Sequence, residues 1–112
     1  MRSRLITVVE TGLFIRQAQK IWSDEDRVAL IDHMARNPDS GDVIPGTGGV
    51  RKLRWARTGS GKRGGTRVIY FYHDMDRPLY LLLAYAKAQA SDMDADEKKA
   101  VAAFAAIIKG KG

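Results

Sequence analysis

Basic side chains are concentrated in one segment of the chain, and their spacing points most directly to chemistry. Between Arg51 and Arg67 there are seven basic residues and no acidic residue, whereas the whole chain has 19 Lys and Arg against 13 Asp and Glu. The seven are Arg51, Lys52, Arg54, Arg57, Lys62, Arg63 and Arg67. The net charge of +6 therefore comes entirely from this segment, and a positive surface of this kind suits a polyanion such as RNA or DNA.

The glycines of this segment do not match a nucleotide-binding loop. In the stretch "TGSGKRGGTRVIYFY", residues 58–72, Gly61-Lys62 is followed by Arg63, whereas a P-loop requires Ser or Thr there and a helix afterwards. Residues 68–72 are β-branched or aromatic and favour a strand instead. The stretch is therefore predicted to connect two strands and to carry basic side chains at its tip. A surface loop without a function is the alternative.

The first forty residues predict a short strand and a helical hairpin. Residues 5–9 are apolar or β-branched and form the predicted opening strand. Thr11 is placed to cap a helix that extends to about Trp22, and Ser23 to cap a second helix that ends near Asn37. The glycines and prolines of residues 39–49 then predict a loop.

Three strands and a C-terminal helix are predicted in the second half of the chain. The strands cover residues 50–57, 66–73 and 79–86, and their short connections favour an antiparallel meander. Asp94 and Glu97 have the spacing of a capping box at the start of an amphipathic helix. The sequence thus predicts one α+β domain over residues 1–112, with an N-terminal strand and helical hairpin packed on a mainly antiparallel sheet of about four strands, and a C-terminal helix.

Strand alternation places part of the basic segment on one face of the sheet. In the strand 50–57, Leu53 and Trp55 point to one side and Lys52 and Arg54 to the other. A hairpin register that puts Arg67 on the Lys52/Arg54 face would make three cations project from one surface. Their mutual repulsion would cost stability unless a polyanion neutralises it. A solvated charged face without a ligand is the alternative.

Residue types that commonly bind metals or form disulfides are scarce. There is no cysteine, and His33 and His73 are the two histidines; the first is predicted to be an ordinary residue of the second helix. His73 begins "HDMDRP", which is more typical of a turn than of a metal site. We therefore expect no metal and no other cofactor. The apolar run near the N-terminus is too short for a signal peptide or a membrane span, so a cytoplasmic protein without a membrane partner is expected.

The segment "GDVIPGTGGVRKLRWARTGSGKRGGTRVIYFY", residues 41–72, is followed by "YAKAQASD" and "DADEKKAVAAF". In this arrangement the chain resembles the RelE/HigB branch of toxins from type II toxin–antitoxin systems, from about Val8 to Ile108. The resemblance implies a small fold with an antiparallel sheet behind an N-terminal helical hairpin. It also implies a ribosome-dependent mRNA endonuclease that inhibits translation and is held inactive by a cognate antitoxin, which often carries a helix-turn-helix domain.

The resemblance carries four catalytic positions over to this chain. Lys52 and Arg54, in "RKLRW", and Arg67, in "GGTRVIYFY", match positions where the family places basic residues. Lys87, in "YAK", matches a basic position at the end of the following strand. After Lys87 the sequence departs from the family pattern, and no general acid is matched. The other basic residues of the segment are predicted to bind RNA, namely Arg51, Arg57, Lys62 and Arg63.

Basic side chains can promote RNA cleavage because the 2′-hydroxyl of the RNA attacks the adjacent phosphodiester, while the protein positions the phosphate and stabilises its charge. Arg67 is predicted to pair with phosphate oxygens, with Arg54 in support. Repulsion from neighbouring cations disfavours the ammonium form of Lys52, which would let this lysine act as the general base. Lys87 is a candidate phosphate clamp or acid. With no acidic residue between Arg51 and Arg67, this surface is predicted to offer no carboxylate ligand, which argues against metal-dependent cleavage.

Two other functions fit the same sequence. A ParE-like relative would share the fold but would bind DNA gyrase, which requires no basic catalytic set. A non-catalytic nucleic-acid-binding domain would use the same positive surface without cleaving its ligand. The residues that favour the endoribonuclease are Lys52, Arg54, Arg67 and Lys87.

Overall fold

The computed structural model describes residues 5–55, 65–86 and 93–110. These residues form three helices and five strands. In chain order the elements are β1 (Val8–Glu10), α1 (Gly12–Ile21), α2 (Asp24–Arg36), β2 (Asp42–Val43), β3 (Val50–Trp55), β4 (Thr66–Phe71), β5 (Leu79–Ala86) and α3 (Ala95–Gly110). Within these residues no helix is both long and apolar enough to cross a membrane.

Each helix begins at the cap that the sequence predicts. The hydroxyl oxygens of Thr11 and Ser23 accept hydrogen bonds from backbone N–H groups three residues later, which satisfies donors left open at the start of α1 and α2. At α3, Asp94 and Glu97 each accept a hydrogen bond from the other's backbone N–H, at 2.8 and 2.9 Å. The predicted helical hairpin and C-terminal helix are therefore confirmed.

The sheet has the strand order β1-β5-β4-β3-β2, with β1 parallel to β5 and the other neighbours antiparallel. The α+β fold is as predicted, but the sheet has five strands where about four were expected. The additional strand is β2, which lies in the predicted loop 39–49. With two residues it is too short to show an alternating pattern, and it exists because it pairs with Arg51 and Lys52 of β3.

A hydrophobic core covers each face of the sheet. The face against α1 and α2, called the α1/α2 face, has a core that includes Phe14, Leu30, Met34, Val68 and Tyr70. The opposite face packs against α3 and is called the α3 face; its core includes Val50, Ile69, Phe71, Leu83, Val101 and Ala105. Because both faces are covered, β5 and the last four residues of β4 are apolar or aromatic. The apolar side chains of the α3 face lie towards one end of β3 and β4, so the other end of this face is left for polar residues.

Candidate active site

The β3–β4 register brings the predicted cations of these two strands together. Arg54 lies directly opposite Arg67, and Lys52 lies opposite Ile69. Since residues opposite each other in an antiparallel pair share a face, all three basic side chains project from the α3 face. The alternation of the sequence predicts that Lys52 and Arg54 share a face, and it leaves the face of Arg67 to the hairpin register. The register places Arg67 on the Lys52/Arg54 face.

These three side chains line a cleft of about 380 Å³ together with one acidic residue, Asp42. We call this the cation cleft, lined by Asp42, Lys52, Arg54 and Arg67. No sequence signal singles out Asp42, because it lies outside the basic segment and in a stretch rich in glycine and proline. Only the pairing of β2 with β3, which sets Asp42 opposite Lys52, brings the carboxylate to the cleft.

Arg67 holds its guanidinium partly inside the protein. Its Nη1 atom is buried and has no hydrogen-bond acceptor among the residues that the structure describes. Nη1 also lies 3.5 Å from where a Cβ atom would stand on Gly65, so the side chain lies close to the backbone where β4 begins. A buried N–H donor without an acceptor costs free energy, so this arginine is held in place at a cost to the stability of the fold.

Arg51 takes a different position, although it neighbours Lys52 in the sequence. It lies on the α1/α2 face, where its Nη1 donates hydrogen bonds to the backbone carbonyls of Asp39 (3.1 Å) and Gly41 (2.7 Å). The structure therefore does not bring Arg51 together with the cation cleft. Its guanidinium binds the chain itself, and the role of Arg51 in RNA binding stays a prediction.

Both backbone polar groups of Gly41, its N–H and its carbonyl, are hydrogen-bonded to side chains. Its carbonyl accepts the hydrogen bond from Arg51, and its N–H donates to the hydroxyl of Tyr70 at 2.8 Å. We call this arrangement the Gly41 clamp. Burial raises the pKa of the Tyr70 hydroxyl above its ordinary value, so the group stays protonated and neutral at physiological pH.

Only glycine fits at the centre of the clamp. A Cβ atom on Gly41 would stand 2.8 Å from two ring-end atoms of Tyr70 and 2.9 Å from the backbone carbonyl oxygen of Lys52. Without a side chain at Gly41, β2 lies close against β3. The next residue, Asp42, then projects from the α3 face into the cleft. The clamp thus sets the position of Asp42.

Both histidines lie outside the cation cleft. The ring of His33 packs 5.1 Å from that of Trp55, and its Nε2 lies 3.1 Å from the hydroxyl oxygen of Ser40. His73 stacks on Phe71 with 6.2 Å between ring centroids. Neither histidine lines the cleft, so neither can exchange a proton with a ligand bound there.

The acidic residues after His73 form a turn. The carboxylate of Asp74 accepts hydrogen bonds from the backbone N–H of Asp76 at 3.0 Å and from the guanidinium of Arg77 at 2.6 Å. Across residues 5–55, 65–86 and 93–110, no three His, Asp or Glu side chains come close enough to hold a metal ion.

Four of the predicted site residues lie outside the described part of the chain. They are the catalytic candidate Lys87 and the RNA-binding candidates Arg57, Lys62 and Arg63. Their roles stay predictions. Among the described residues, Tyr85 of β5 stands directly opposite Arg67 and shares its face. An aromatic side chain therefore lies next to the cations on this face of the sheet.

A family model described as "RelE toxin of RelE / RelB toxin-antitoxin system" matches residues 7–111 of the chain. The match extends over all the helices and strands described above, from β1 to α3. It includes every residue that lines the cation cleft.

Proposed function

Because the chain belongs to the RelE toxin family, we propose that it is a ribosome-dependent mRNA endonuclease that inhibits translation. The observation that carries the proposal is the cation cleft, in which Lys52, Arg54 and Arg67 converge from two strands. Three cations on one surface repel each other, and a bound phosphodiester would relieve that repulsion. The volume of the cleft and its net positive charge suit a sugar–phosphate segment.

The two arginines are suited to hold the reacting phosphate. A guanidinium offers a planar set of N–H donors that pairs with two phosphate oxygens at once. Arg54 and Arg67 are directly opposite each other, so both can contact one phosphate group. When the RNA 2′-hydroxyl attacks, negative charge grows on the phosphate oxygens, and donors already in place stabilise that charge without reorganising. Lys52 adds a third cation to the same field.

One expectation about this surface is wrong. The sequence predicts that no carboxylate stands near the cations, but Asp42 lines the cleft. The reason is that Asp42 precedes the basic segment and reaches it through the β2–β3 pairing. A single carboxylate among three cations is still a poor ligand set for Mg²⁺ or Ca²⁺, which need several oxygen ligands and are repelled by basic side chains. We therefore keep metal-independent cleavage as part of the proposal.

The chemistry of the cut ends tests this proposal. The full chain is added to ribosomes translating a defined mRNA, and the ends of the fragments are identified. Attack by the 2′-hydroxyl leaves a 5′-hydroxyl end and a 2′,3′-cyclic phosphate or 3′-phosphate end. An mRNA with a 2′-deoxy sugar at the cut site should resist cleavage. Fragments with 5′-phosphate and 3′-hydroxyl ends, or equal cutting of the deoxy mRNA, would contradict the proposal.

The same protein preparation separates the proposed function from the two alternatives. A gyrase-binding toxin would inhibit DNA supercoiling and leave translation intact, whereas a non-catalytic nucleic-acid-binding domain would bind RNA and leave it uncut. We expect translation to stop, mRNA to be cleaved and supercoiling to continue. Action on ribosomes would place the protein in the cytoplasm.

RelE toxins pair with a cognate antitoxin, and we propose that an acidic segment of this partner covers the cation cleft. Opposite charges on two proteins speed their association and add specificity. Association should therefore slow as salt concentration rises, and Arg54→Ala should weaken that salt dependence. An association rate that salt does not change would argue against direct covering of the cleft. A helix-turn-helix domain in the antitoxin is a further part of this proposal.

A further inference from the structure

Asp42 is the acidic member of a site that is otherwise basic. It is the direct cross-strand partner of Lys52. In such a pair the Cβ atoms are about 5 Å apart and the side chains share a face. Asp42 is exposed and lines the cleft with both arginines, so its carboxylate is accessible to a ligand held there. Asp42 reduces the net positive charge of the cleft. A site that only binds phosphate would gain nothing from this carboxylate, so Asp42 is expected to have another role.

The position of Asp42 is set by groups that do not themselves line the cleft. The Gly41 clamp fixes the preceding residue through Arg51 and Tyr70 on the opposite face. Because Gly41 has no Cβ atom, β2 can lie this close to β3. A fixed backbone sets the point from which the Asp42 side chain enters the cleft, so only the side-chain torsions remain to be ordered when the carboxylate reacts.

Among the four side chains of the cleft, two can exchange a proton with a substrate at neutral pH. Arginine does not give up its proton in proteins, which excludes Arg54 and Arg67. A carboxylate is in its proton-accepting form near pH 7, whereas a lysine ammonium is in its proton-donating form. The two histidines lie elsewhere in the fold. Asp42 is then the natural acceptor in the cleft and Lys52 the natural donor.

We propose that Asp42 is the general base of the reaction, an inference that rests on the proposed function above. The carboxylate takes the proton from the 2′-hydroxyl as the 2′-oxygen forms a bond to phosphorus. The bond from phosphorus to the 5′-oxygen breaks, and the ammonium of Lys52 gives that oxygen a proton. The products are a 2′,3′-cyclic phosphate and a 5′-hydroxyl, and a later proton exchange with water restores both side chains. Lys52 thereby becomes the acid, where the sequence alone suggested a base.

The first test compares Asp42→Asn with Asp39→Asn in cleavage of mRNA on ribosomes. Both changes remove one carboxylate from the same region, but only Asp42 lines the cleft. Asp42→Asn should slow cleavage by about 100-fold or more, as expected when a general base is removed, and Asp39→Asn should cleave at the unaltered rate. Asp42→Glu, which keeps the carboxylate, should retain part of the activity.

Binding and pH dependence distinguish a base from a residue that only supports the structure. Asp42→Asn should bind a 2′-deoxy mRNA on the ribosome at least as tightly as the unaltered chain, because a negative charge has been removed from the phosphate site. The cleavage rate of the unaltered chain should fall in acid, where carboxylates take up protons. Asp42→Asn should lose that dependence. Equal losses of binding and of cleavage would overturn the assignment.

A modified leaving group separates the base from the acid. When sulfur replaces the 5′-oxygen at the cut site, the leaving group departs without being protonated. This substrate should restore cleavage by Lys52→Met and should leave Asp42→Asn slow. Rescue of Asp42→Asn by the sulfur substrate, or an unaltered rate in Asp42→Asn with the natural mRNA, would overturn the role of Asp42 and leave the proposed function intact. An unaltered chain that cuts no mRNA contradicts the proposed function, and the role of Asp42 fails with it.

Discussion

Arg51 and Lys52 are neighbours in β3, yet they belong to regions with opposite chemistry. On the α1/α2 face, Arg51 forms part of the Gly41 clamp, and its guanidinium donates hydrogen bonds to two backbone carbonyls. On the α3 face, Lys52 joins the cation cleft, where Arg67 keeps a buried Nη1 without an acceptor among the described residues. One basic run in the sequence thus supplies both a structural arginine and a candidate catalytic set. Strand alternation separates the two roles.

The comparison shows why charge alone does not identify a functional residue. Hydrogen bonds from a charged donor stabilise a fold by about 1.5–3 kcal/mol, so a basic residue with backbone acceptors contributes to stability. A basic residue among other cations does the opposite, because like charges repel. The cleft is therefore expected to be the less stable region and the clamp the more stable one, and substitutions in the two should separate activity from stability.

Arg67→Ala should have the largest effect on activity and little effect on stability. Loss of one donor to the charge of a transition state typically reduces a rate by about 100-fold to 1,000-fold. Cleavage on ribosomes and growth inhibition should both fall by about this factor. The free energy of unfolding in urea should not fall, because no core contact is lost and a buried donor without an acceptor is removed.

The matched control for Arg67→Ala is Arg16→Ala, which removes the same charge from the exposed surface of α1. This control should retain full toxicity. A folded Arg67→Ala variant that remains fully toxic would show that the cleft is not the site.

Gly41→Ala should damage both regions, because the clamp also positions Asp42. The added methyl group would stand 2.9 Å from the carbonyl oxygen of Lys52, and a backbone atom in β3 cannot move aside easily. We expect a loss of about 3 kcal/mol in the free energy of unfolding, at the upper end for an overpacked site, together with slower mRNA cleavage.

The control for Gly41→Ala is Gly110→Ala, where a Cβ atom would meet no heavy atom within 4 Å. It should leave stability and cleavage unchanged. If Gly41→Ala matched this control in stability, β2 would not depend on the close approach at Gly41.

Arg51→Met should affect stability rather than chemistry. The substitution keeps an apolar side chain of similar reach but removes the donor to the carbonyls of Asp39 and Gly41. A loss of about 2 kcal/mol in the free energy of unfolding follows from charge-assisted hydrogen bonds of this kind. Urea unfolding measures this loss. Unaltered stability with a strong loss of RNA binding would contradict this structural role and support the predicted role of Arg51 as an RNA contact.

Tyr70→Phe should have the smallest effect and a distinctive pH dependence. Loss of the hydroxyl leaves the Gly41 N–H without its acceptor and should cost about 1 kcal/mol near neutral pH. Burial raises the pKa of Tyr70 in the folded state, whereas an unfolded tyrosine loses its proton near pH 10, so this residue's contribution is present below about pH 10 and is lost as pH rises further.

The stability difference between the unaltered chain and Tyr70→Phe should accordingly shrink above about pH 10. Urea unfolding at several alkaline pH values measures it. A difference that remains constant up to pH 11 would show that the hydroxyl is not protected from ionisation by the fold.

Local sequence patterns were sufficient to predict every helix and strand that the structure describes except β2. Thr11, Ser23 and the Asp94/Glu97 pair cap helices through contacts within one turn, so their effect depends on near neighbours in the chain. The strand β5 is apolar because both of its faces are buried, and such a run is visible without a structure. Alternation also placed Lys52 and Arg54 on one face.

Tertiary pairing decided the composition of the site. The two-residue strand β2 has no pattern of its own, and it forms because β3 provides partners and because Gly41 lets the chains approach. That pairing brings Asp42 to the cations, and it places the carbonyls of residues 39 and 41 where Arg51 binds them. The sequence by itself determined which residues are basic and that Lys52 and Arg54 share a face, while the β3–β4 register decided that Arg67 joins them. Only the contacts between residues distant in the chain decided which cation is bound by the backbone and which ones line the cleft, because hydrogen bonding depends on spatial neighbours rather than on neighbours in sequence.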